Sequence, residues 1–348
     1  MTNVPKPTIR PELLDLLSCP ACTANKLQLV SKDDQTYLIC PQCHSSYGFA
    51  HGIPLLYHND ASWITKQREA EGWVAMWQAL GMYDQDIPVD PNVPFGATVE
   101  PWITIERMFR GALFQMDLRG GERILDVGAG EGWASQHFAL RGAEAVAIDV
   151  VPDPGFGLAR SWKRMQITNT FFDLIIGDNE RLPFAENSFD YVFASNALHH
   201  HDYLERLFGS IYRVLKPGGR LIAIGDPLAT IYQQESDLTD GDREKSFGII
   251  ERRRRFVEYF VALWQAGFRQ IHAEDDKTFW LKNSELYPWM DQQRAGIEQH
   301  ATLGSRQLTK LLTWGMLRLP RPFALALLLC LREGGLLMIS GQKPKSNA

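Results

Sequence analysis

The sequence predicts an α/β fold built on a doubly wound sheet of seven strands. Seven short apolar segments have the length of strands, and they begin near residues 124, 143, 171, 191, 220, 268 and 336. Helix-forming segments separate most of them, and such alternation implies parallel strands with helices on both faces. The first strand runs directly into a glycine turn, which is where a sheet of this kind binds a ligand.

The glycine turn occupies residues 124–132, Ile-Leu-Asp-Val-Gly-Ala-Gly-Glu-Gly. It opens a helix predicted over residues 131–140, and the next strand ends on Asp149. Glycines in such a turn let the backbone pass close to a ligand, and an acid about 20 residues later accepts hydrogen bonds from ribose hydroxyls. The pattern is therefore typical of a nucleoside site.

The glycine spacing indicates which nucleoside to expect. The dinucleotide pattern G-x-G-x-x-G needs its third glycine where Trp133 stands, and the extra glycine falls at 132 instead. A phosphate loop ending in Gly-Lys-Ser/Thr is also absent from the sequence. Asp126 and Glu131 put negative charge where a dinucleotide would put phosphate. These features disfavour a pyrophosphate ligand.

Three further motifs follow the turn: Asp-Asn-Glu-Arg-Leu-Pro-Phe at 178–184, Ser-Phe-Asp at 188–190 and Leu-Lys-Pro-Gly-Gly at 215–219. Together with Asp-x-Gly-x-Gly-x-Gly they resemble class I S-adenosylmethionine-dependent methyltransferases, in particular the type 11 methyltransferase family, over residues 120–275. The resemblance implies a Rossmann-like methyltransferase sheet and S-adenosyl-L-methionine as the cofactor.

The resemblance also implies which residues hold the cofactor. The ribose hydroxyls are expected at Asp149 and the adenine amino group at Asp178, for which a simple turn aspartate is the alternative. Many relatives carry a small residue where Asn179 stands, so this chain departs from the family pattern there. The glycines are expected near the methionine portion and the residues after the fourth strand on the sulfonium side. The predicted cofactor-binding set is Asp126, Gly128, Gly130, Asp149, Asp178, Asn179, Ser195 and Asn196.

A candidate general base lies where the fourth predicted strand ends, in Ser-Asn-Ala-Leu-His-His-His-Asp at 195–202. Open α/β sheets bind ligands at the carboxyl ends of their strands. His199 or His200 is the candidate, because an ordinary histidine pKa of about 6.5 suits proton transfer near neutral pH. The alternative is that these histidines pack the pocket wall or cap the next helix. A metal site at this cluster lacks an obvious set of partners in the sequence.

Two Cys-x-x-Cys pairs, Cys19 with Cys22 and Cys40 with Cys43, are separated by 17 residues. Two-residue spacers suit a metal better than disulfides, and four thiolates close a tetrahedral zinc site with no open position. The sequence over residues 11–58 resembles the small zinc-ribbon family that includes the activator subunit of tRNA, rRNA and release-factor methyltransferases. The resemblance implies a structural zinc ion and a unit that needs metal to fold.

The chain divides into a predicted zinc ribbon at 1–60, a helical linker or cap at 61–118, a methyltransferase core at 119–275 and 334–345, and a helical insertion or cap at 276–333. Aromatic stripes in the first cap are expected to pack; alternatively Trp73, Trp77 and Trp102 line the acceptor pocket. Four arginines at 252–255 are expected at the start of a helix over 251–266, as a solvated face with local ion pairs or as an anion site. The apolar run 323–331 is expected to pack in the core rather than against lipid.

Composition limits the classes of function. The chain of 348 residues is 45% hydrophobic and 22% charged, which is typical of a globular protein. Its net charge of −5 argues against a broad nucleic-acid surface. The first residues lack the apolar core of a signal peptide, and the longest apolar run is about half of what a membrane crossing needs. We therefore expect a soluble, cytoplasmic protein. Peripheral membrane contact stays open, and oligomeric state is not predicted.

The predicted function is transfer of a methyl group to an oxygen or nitrogen atom of a small or mid-sized metabolite, such as a sugar, a lipid or a secondary metabolite. One alternative is an RNA methyltransferase, acting on rRNA or tRNA, that uses the ribbon and the four arginines to bind phosphate. The net charge and the absence of an Asn-Pro-Pro-Tyr motif lower that alternative. The other alternative is a non-catalytic S-adenosylmethionine-binding or scaffold protein, and the intact glycines and acids argue against it.

Overall fold

A computed structural model describes residues 9–32, 35–83, 88–233, 239–240, 242–300, 306–332 and 334–345. The strands are β1 (Gln28–Lys32), β2 (Gln35–Ile39), β3 (Ser46–Tyr47), β4 (Phe49–Ala50), β5 (Ile53–Leu56), β6 (Arg123–Val127), β7 (Glu144–Asp149), β8 (Asp173–Gly177), β9 (Phe189–Ser195), β10 (Leu215–Ala229), β11 (Thr239–Asp240), β12 (Glu251–Arg252), β13 (Arg254–Arg255), β14 (Arg269–Asp275) and β15 (Leu336–Gln342). The α-helices are α1 (Pro11–Leu16), α2 (Ala61–Ala79), α3 (Trp102–Met116), α4 (Trp133–Ala139), α5 (Ser161–Thr168), α6 (Leu204–Val214), α7 (Asp242–Ser246), α8 (Phe256–Ala266), α9 (Asn283–His300), α10 (Arg306–Met316) and α11 (Arg321–Leu331).

The central sheet has the order β4-β5-β8-β7-β6-β9-β10-β15-β14, and β13 pairs with β10 outside this path. Strands β8, β7, β6, β9 and β10 are parallel, whereas β15 is antiparallel to both of its neighbours. The seven predicted strands are therefore contiguous in the order 3-2-1-4-5-7-6. Three short strands extend this sheet beyond the seven that were expected.

Apolar side chains cover both faces of the parallel strands, as expected for a sheet buried between helices. On β6, Leu125 and Val127 contribute to one buried cluster, whereas Ile124 contributes to the other. Helix α6 buries Leu207, Phe208, Ile211 and Val214 against the first cluster, and α3 buries Ile105, Met108, Phe109 and Ala112 against the second. The helical periodicity in the sequence thus corresponds to two core layers around the sheet.

Two helices begin later than predicted. Helix α4 begins at Trp133 rather than at residue 131, because Gly130 and Gly132 have φ values of 54° and 74° and keep the turn in a left-handed conformation. Helix α8 begins at Phe256 rather than at residue 251. The Glu258 side chain accepts the backbone N–H of Arg255 at 3.0 Å and so defines the start of this helix. The arginines at 252–255 consequently lie mainly in the short strands β12 and β13.

The N-terminal segment joins the central sheet. Strands β1, β2 and β3 form a small antiparallel sheet, and β5 pairs in parallel with β8, with Leu55 opposite Ile176. The backbone N–H of Ser18 donates to Pro183 O at 2.9 Å, and that of Ala185 donates to Leu16 O at 2.8 Å. The structure thus continues one sheet and one core across the predicted boundary at residue 60.

The residues after β14 form a helical cap with its own core. Helices α9, α10 and α11 enclose Leu286, Met290, Ile297, Met316, Ala324, Leu325, Leu328 and Leu331. The apolar run 323–331 lies in α11 and buries most of its side chains, as expected. Among the described residues, none of the helices combines the length and the apolarity that crossing a membrane requires.

Candidate cofactor and acceptor site

A cavity of about 240 Å³ lies at the carboxyl ends of β6, β7 and β9, beside helix α2. This is the edge of the sheet at which α/β folds bind their ligands. The sheet and its loops contribute Gly128, Gly130, Asp149, Val150, Val151, Phe156, Gly157, Asn179, Asn196, Ala197, His200 and His201, and α2 contributes Lys66, Glu69 and Trp73. The cavity therefore brings together most of the predicted cofactor residues with Trp73 of α2, a candidate for the acceptor pocket, and with Lys66 and Glu69, which the sequence left unassigned.

The glycine turn approaches this cavity closely. The backbone N–H groups of Gly128 and Ala129 donate to Ile148 O at 3.0 and 3.1 Å, which ties the turn to the end of β7. At Gly128, φ is 68° and a Cβ atom would come within 2.6 Å of the Cβ of Ala197. A side chain at this position would therefore push the turn away from the loop after β9.

Asp149 lies at the cavity and is held by backbone donors. Its two carboxylate oxygens accept the N–H groups of Val151 and Gly130, each at 2.8 Å. Burial raises the pKa of Asp149 despite these hydrogen bonds. The carboxylate is thus oriented by the turn before any ligand is bound.

Asp126 and Ser195 do not line the cavity as the described residues define it. Asp126 accepts hydrogen bonds from the backbone N–H and the hydroxyl of Ser135 at 3.1 and 2.7 Å, and burial raises its pKa to about 7. Ser195 Oγ accepts from Asn196 Nδ2 at 3.2 Å. Through these contacts Asp126 holds the start of α4 and Ser195 holds the side chain of Asn196. Neither residue lines the cavity itself.

Asp178 faces helix α2. Its carboxylate accepts a hydrogen bond from Lys66 Nζ and another from the backbone N–H of Glu180 at 2.9 Å. Lys66 and Asn179, rather than Asp178, form the cavity wall here. Sequence reasoning missed Lys66, because its partner lies 112 positions away and the helix stripe indicated packing alone.

His199 is buried between two carboxylates. Its Nδ1 lies 2.8 Å from Asp226 Oδ1, and its Nε2 lies 3.0 Å from Glu251 Oε2. Burial alone would lower the pKa of His199, but the hydrogen bonds to Asp226 and Glu251 raise it to about 9. His199 is therefore a cation with both ring nitrogens in use, and this geometry argues against a role as general base.

His200 has the opposite environment. Burial first, and then the neighbouring His199 and His201, lower its pKa well below the usual histidine value. Its ring lies at the cavity, and the edge of the Trp73 ring packs against it with centroids 5.5 Å apart. Its Nδ1 has no hydrogen-bond partner among the described residues. His200 is thus a neutral imidazole that faces the cavity.

Glu69 on α2 is a polar cavity residue that the sequence reasoning missed. Its Oε1 lies 3.9 Å from His200 Nδ1 and accepts the backbone N–H of Ile250 at 3.3 Å. Burial raises the pKa of Glu69 to about 7. The contact with Ile250 spans 181 positions, so no local pattern reports it.

The donor atoms of His199, His200 and Glu251 lie within 4.8 Å of one another, a spacing that a metal ion can bridge. The sequence indicated no further metal ligand beside the histidines, and in the structure Glu251 lies where such a ligand would be. The hydrogen bonds of His199 already use both ring nitrogens, however. We therefore interpret the cluster as a network of ion pairs.

The aromatic residues of the first cap divide between cavity and core. Trp73 lines the cavity, and both Trp73 and Trp77 stack on Phe156, with centroids 6.3 and 5.0 Å apart. Trp102 instead packs edge-on against Trp133, 6.1 Å between centroids, in the core around α4. Trp73 is thus the one of the three tryptophans that contacts the cavity as described.

Contacts within the chain engage the arginines around residue 252. Arg252 forms an ion pair with Asp202 at 2.5 Å. Arg254 donates to the carbonyl oxygens of His201 and Asp202, at 2.5 and 3.1 Å. Arg255 donates to the carbonyl oxygen of Gln233 at 2.8 Å. Of the two expectations for the four arginines, pairing within the chain describes these side chains better than an anion site does.

The four cysteines of the N-terminal segment converge. Their sulfur atoms lie within 4.8 Å of one another, with Cys19 Sγ 3.6 Å from Cys43 Sγ and Cys22 Sγ 3.6 Å from Cys40 Sγ. None of the four forms a disulfide. Cys19 and Cys40 are fully buried in the same cluster as the sheet residues, so the sulfur cluster borders the main core.

The two cysteine pairs have matching backbone turns. Thr23 N–H donates to Cys19 O at 2.8 Å, and His44 N–H donates to Cys40 O at 3.0 Å. Thr23 and His44 have φ values of 61° and 60°, a left-handed conformation that these residue types seldom adopt. Each pair thus forms one tight turn, as a knuckle around a metal ion requires.

Comparison with known proteins agrees with this geometry. Residues 125–223 match the family described as "Methyltransferase domain". The chain is 34% identical over 179 residues to a sterol 24-C-methyltransferase of Pneumocystis carinii, covering 49% of this chain and 45% of that protein. It is 36% identical over 179 residues to a demethylmenaquinone methyltransferase of Paenarthrobacter aurescens, covering 51% of this chain and 60% of that one. The chain thus spans about half the length of these relatives.

Among solved structures, a phosphoethanolamine N-methyltransferase 2 of Haemonchus contortus in complex with S-adenosyl-L-methionine is similar with a TM-score of 0.45 and 16% identity. The alignment covers 91% of this chain and 71% of that one. The sheet order, the glycine turn and the family match agree on the class of domain. The chain therefore carries a methyltransferase domain of the S-adenosylmethionine-dependent type.

The charged state of His199 predicts a pH-dependent stability. Because folding raises the pKa of His199, the stabilisation that this histidine contributes is fully present below its pKa in the unfolded chain, about 6.5. It is lost as pH rises through about 9. We expect His199→Gln to lower the free energy of unfolding most at pH 6. The difference in the free energy of unfolding between wild type and variant should shrink by about 3 kcal/mol by pH 10. Urea unfolding at each pH measures it.

His272→Gln is the matched control, because this histidine is exposed on β14. Its effect on the free energy of unfolding should be small. A deficit for His199→Gln that stays constant from pH 6 to pH 10 would contradict a charged His199 in the folded protein.

Proposed function

We propose that the chain transfers the methyl group of S-adenosylmethionine to an oxygen or nitrogen atom of a small or mid-sized metabolite. The observation that carries the proposal is the cavity itself, in which the glycine turn and Asp149 lie beside a neutral histidine and a carboxyl group, His200 and Glu69. The glycine turn and Asp149 fit a nucleoside, and His200 with Glu69 is suited to proton transfer from an acceptor.

The cofactor residues are assigned from their positions at the cavity. When bound, S-adenosylmethionine supplies a methyl group that its sulfonium already activates. Asp149 would accept the ribose hydroxyls, since its carboxylate is buried and oriented by the turn. Asn179 is at the cavity for the adenine end, and Gly128 with Asn196 for the methionine and sulfonium end. Asp178 would reach the adenine only after exchanging its bond to Lys66.

His200 is the proposed general base. It is neutral, its Nδ1 is unpaired among the described residues, and it lies at the cavity. Because its lowered pKa makes His200 a weak base alone, the proton would pass on to Glu69, 3.9 Å away, whose pKa of about 7 suits a base near neutral pH. Positioning of the acceptor lowers the barrier by about 7–11 kcal/mol, and a base adds roughly 10²–10⁴-fold for a hydroxyl acceptor. His199 would hold His200 in place through Asp226 and Glu251 rather than take the proton.

The size of the cavity bears on the acceptor. Ligand sites usually enclose about 300–1,000 Å³, so a cavity of about 240 Å³ has little room beyond a cofactor. This supports an acceptor that inserts its reacting group and keeps its remainder outside. The relatives named for sterol and demethylmenaquinone methylation are consistent with a lipid-like metabolite.

The RNA alternative is weaker on these contacts. Its phosphate-binding candidate was the arginine cluster, and Arg252, Arg254 and Arg255 make bonds inside the chain. A non-catalytic role is disfavoured because the cavity keeps both its glycine turn and its neutral histidine. A cytoplasmic location stays a prediction.

A structural zinc ion is proposed at Cys19, Cys22, Cys40 and Cys43. Sulfur atoms bound to one zinc ion at about 2.3 Å lie about 3.8 Å apart in a tetrahedron, and the two shortest sulfur pairs here are 3.6 Å apart. Four cysteines leave no open position, so the ion would stabilise the fold without entering the chemistry. Because Cys19 and Cys40 border the core, the ion would also support the loop that carries Asn179.

The assignment of Asp149 predicts a loss of cofactor affinity. Asp149→Ala removes hydrogen bonds to a charged group, each contributing about 1.5–3 kcal/mol, so binding of S-adenosylmethionine should weaken at least about 100-fold. Calorimetric titration measures it. Glu144→Ala is the matched control, because this exposed carboxylate stands at the opposite end of β7. Affinity near the wild-type value in Asp149→Ala would show that the ribose assignment is wrong.

The proposed activity predicts where label from methyl-labelled S-adenosylmethionine accumulates. Cell extract is separated into RNA, protein, lipid and small-molecule fractions, and each is incubated with the protein. We expect label in the small-molecule or lipid fraction. His200→Ala should lower the initial rate roughly 10²–10⁴-fold for a hydroxyl acceptor while cofactor binding is retained. Label confined to RNA would overturn the proposal in favour of the alternative.

The zinc site predicts about one zinc ion per chain, measured by inductively coupled plasma mass spectrometry. Cys40→Ser should reduce the zinc content and lower the melting temperature, since metal binding contributes to folding free energy. Cys330→Ser is the control, because this cysteine lies in α11, away from the other four. A wild-type protein that folds fully after complete chelation, with an unchanged melting temperature, would exclude a structural metal.

A further inference from the structure

Helix α10 exposes part of its apolar surface. Leu308, Leu311 and Trp314 are 44%, 62% and 50% exposed, whereas the inner side of the helix carries Thr309, Thr313 and Met316, which are fully buried. Thr313 Oγ1 donates to Glu298 Oε1 at 2.8 Å, which secures the polar side of the helix against α9. A helix on the surface of a protein in water ordinarily turns large apolar side chains of this kind towards the core.

The exposed side chains are spaced to form one face. Residues 308, 311 and 314 recur every three positions and so lie along one side of the helix. The chain continues with Leu319, 37% exposed, and Phe323, 63% exposed at the start of α11. We refer to Leu308, Leu311, Trp314, Leu319 and Phe323 as the outer apolar face.

The segment around α10, residues 299–332, carries net positive charge, whereas the whole chain is negative. Residues 299–332 contain no aspartate or glutamate and five basic residues, Arg306, Lys310, Arg318, Arg321 and Arg332, in a chain of net charge −5. Arg321 pairs with Glu274 and Arg332 with Asp275. Lys310 and Arg318 are exposed, and within the described residues neither has an ion-pair partner.

The exposed cations are interleaved with the apolar side chains. Lys310 lies between Leu308 and Leu311 in the sequence, and the guanidinium of Arg318 lies over the Trp314 ring, 3.5 Å from its centroid. Basic residues beside tryptophan and leucine are the pattern of helices that lie in the interface of an anionic membrane. A helix buried in a core does not need the basic side chains, and a helix exposed to water does not need the apolar ones.

An apolar groove adjoins the outer apolar face. A cavity of about 630 Å³ lies between α8, β14 and the start of α11. Phe323 belongs both to its wall and to the outer apolar face, and the other apolar lining residues include Phe256, Phe260, Ile271, Pro322 and Ala326. The groove thus extends the apolar surface from α10 towards α8.

We propose that the outer apolar face, with Lys310 and Arg318, is a docking surface for the anionic headgroups and upper acyl region of a lipid membrane. The charge decides between occupants. A symmetric dimer through this face would bring Lys310 and Arg318 of one copy against those of the other, which costs binding energy. An anionic membrane instead neutralises both. The proposal does not depend on methyl transfer, because docking is measured without an acceptor.

The test is co-sedimentation of the full chain with vesicles. One set contains phosphatidylcholine alone and the other contains phosphatidylcholine with phosphatidylglycerol. We expect binding to the anionic vesicles and its loss at high salt. Since one basic side chain near an anionic surface contributes roughly a fivefold gain in partitioning, Lys310→Gln with Arg318→Gln should weaken binding about thirtyfold. Leu311→Glu with Trp314→Glu should abolish it.

Two controls match these variants. Phe114→Glu changes a side chain that is 75% exposed on α3, and Arg68→Gln changes an exposed arginine on α2. Both should bind as the wild-type chain does. Circular dichroism shows whether each variant is folded.

Three outcomes would overturn the proposal. The first is a folded wild-type chain that does not sediment with anionic vesicles. The second is equal loss in the Phe114→Glu and Arg68→Gln controls. The third is concentration-dependent self-association in light scattering that Leu311→Glu removes, which would assign the face to a second copy of the chain.

Discussion

The charged histidine between Asp226 and Glu251 is the constraint on which the acceptor end of the site depends. It joins the loop after β9 to β10 and to β12, in addition to the ion pair of Arg252 with Asp202 and the hydrogen bonds from Arg254 to the same loop. The two carboxylates, one buried and one partly buried, would repel each other without a cation between them. The cation His199 also adds to the effect of burial in lowering the pKa of the neighbouring His200.

Helix α2 is the second part of the site, and it couples the two ends of the cavity. Lys66 contacts the loop at Asp178, where the adenine is expected, and Glu69 contacts His200 one turn later. The α2 wall of the cavity is thus a single rigid helix rather than a flexible loop. Movement of α2 would alter both ends together, which is a simple way to link occupation of the nucleoside end to the geometry of the acceptor end.

Local patterns predicted much of the fold because the glycine turn and the apolar strands are each encoded within a few residues. Asp149, expected from the pattern that follows the glycine turn, and Asn179, expected from the family resemblance, both lie at the cavity. Asp126 was expected beside the cofactor, and its carboxylate meets Ser135, a buried donor that a strand pattern does not report. Lys66 and Glu69 were missed because their partners are more than a hundred positions away. The exposed apolar side chains of α10 accompany tertiary packing of Thr309, Thr313 and Met316 on its inner side, which periodicity alone does not reveal.

The pairing of β5 with β8 has a consequence for how the protein behaves before and after folding. In the core strand order, β8 would end the sheet and offer a row of unpaired backbone groups to any other extended chain. The N-terminal segment covers the end of that row, at Ile176 and Gly177, with β5, and the new margin is β4, which is two residues long. So short a margin is a poor template for a strand from another molecule. The cysteine-bearing segment therefore also shields the sheet from aggregation at this edge, and losing its fold would re-expose β8.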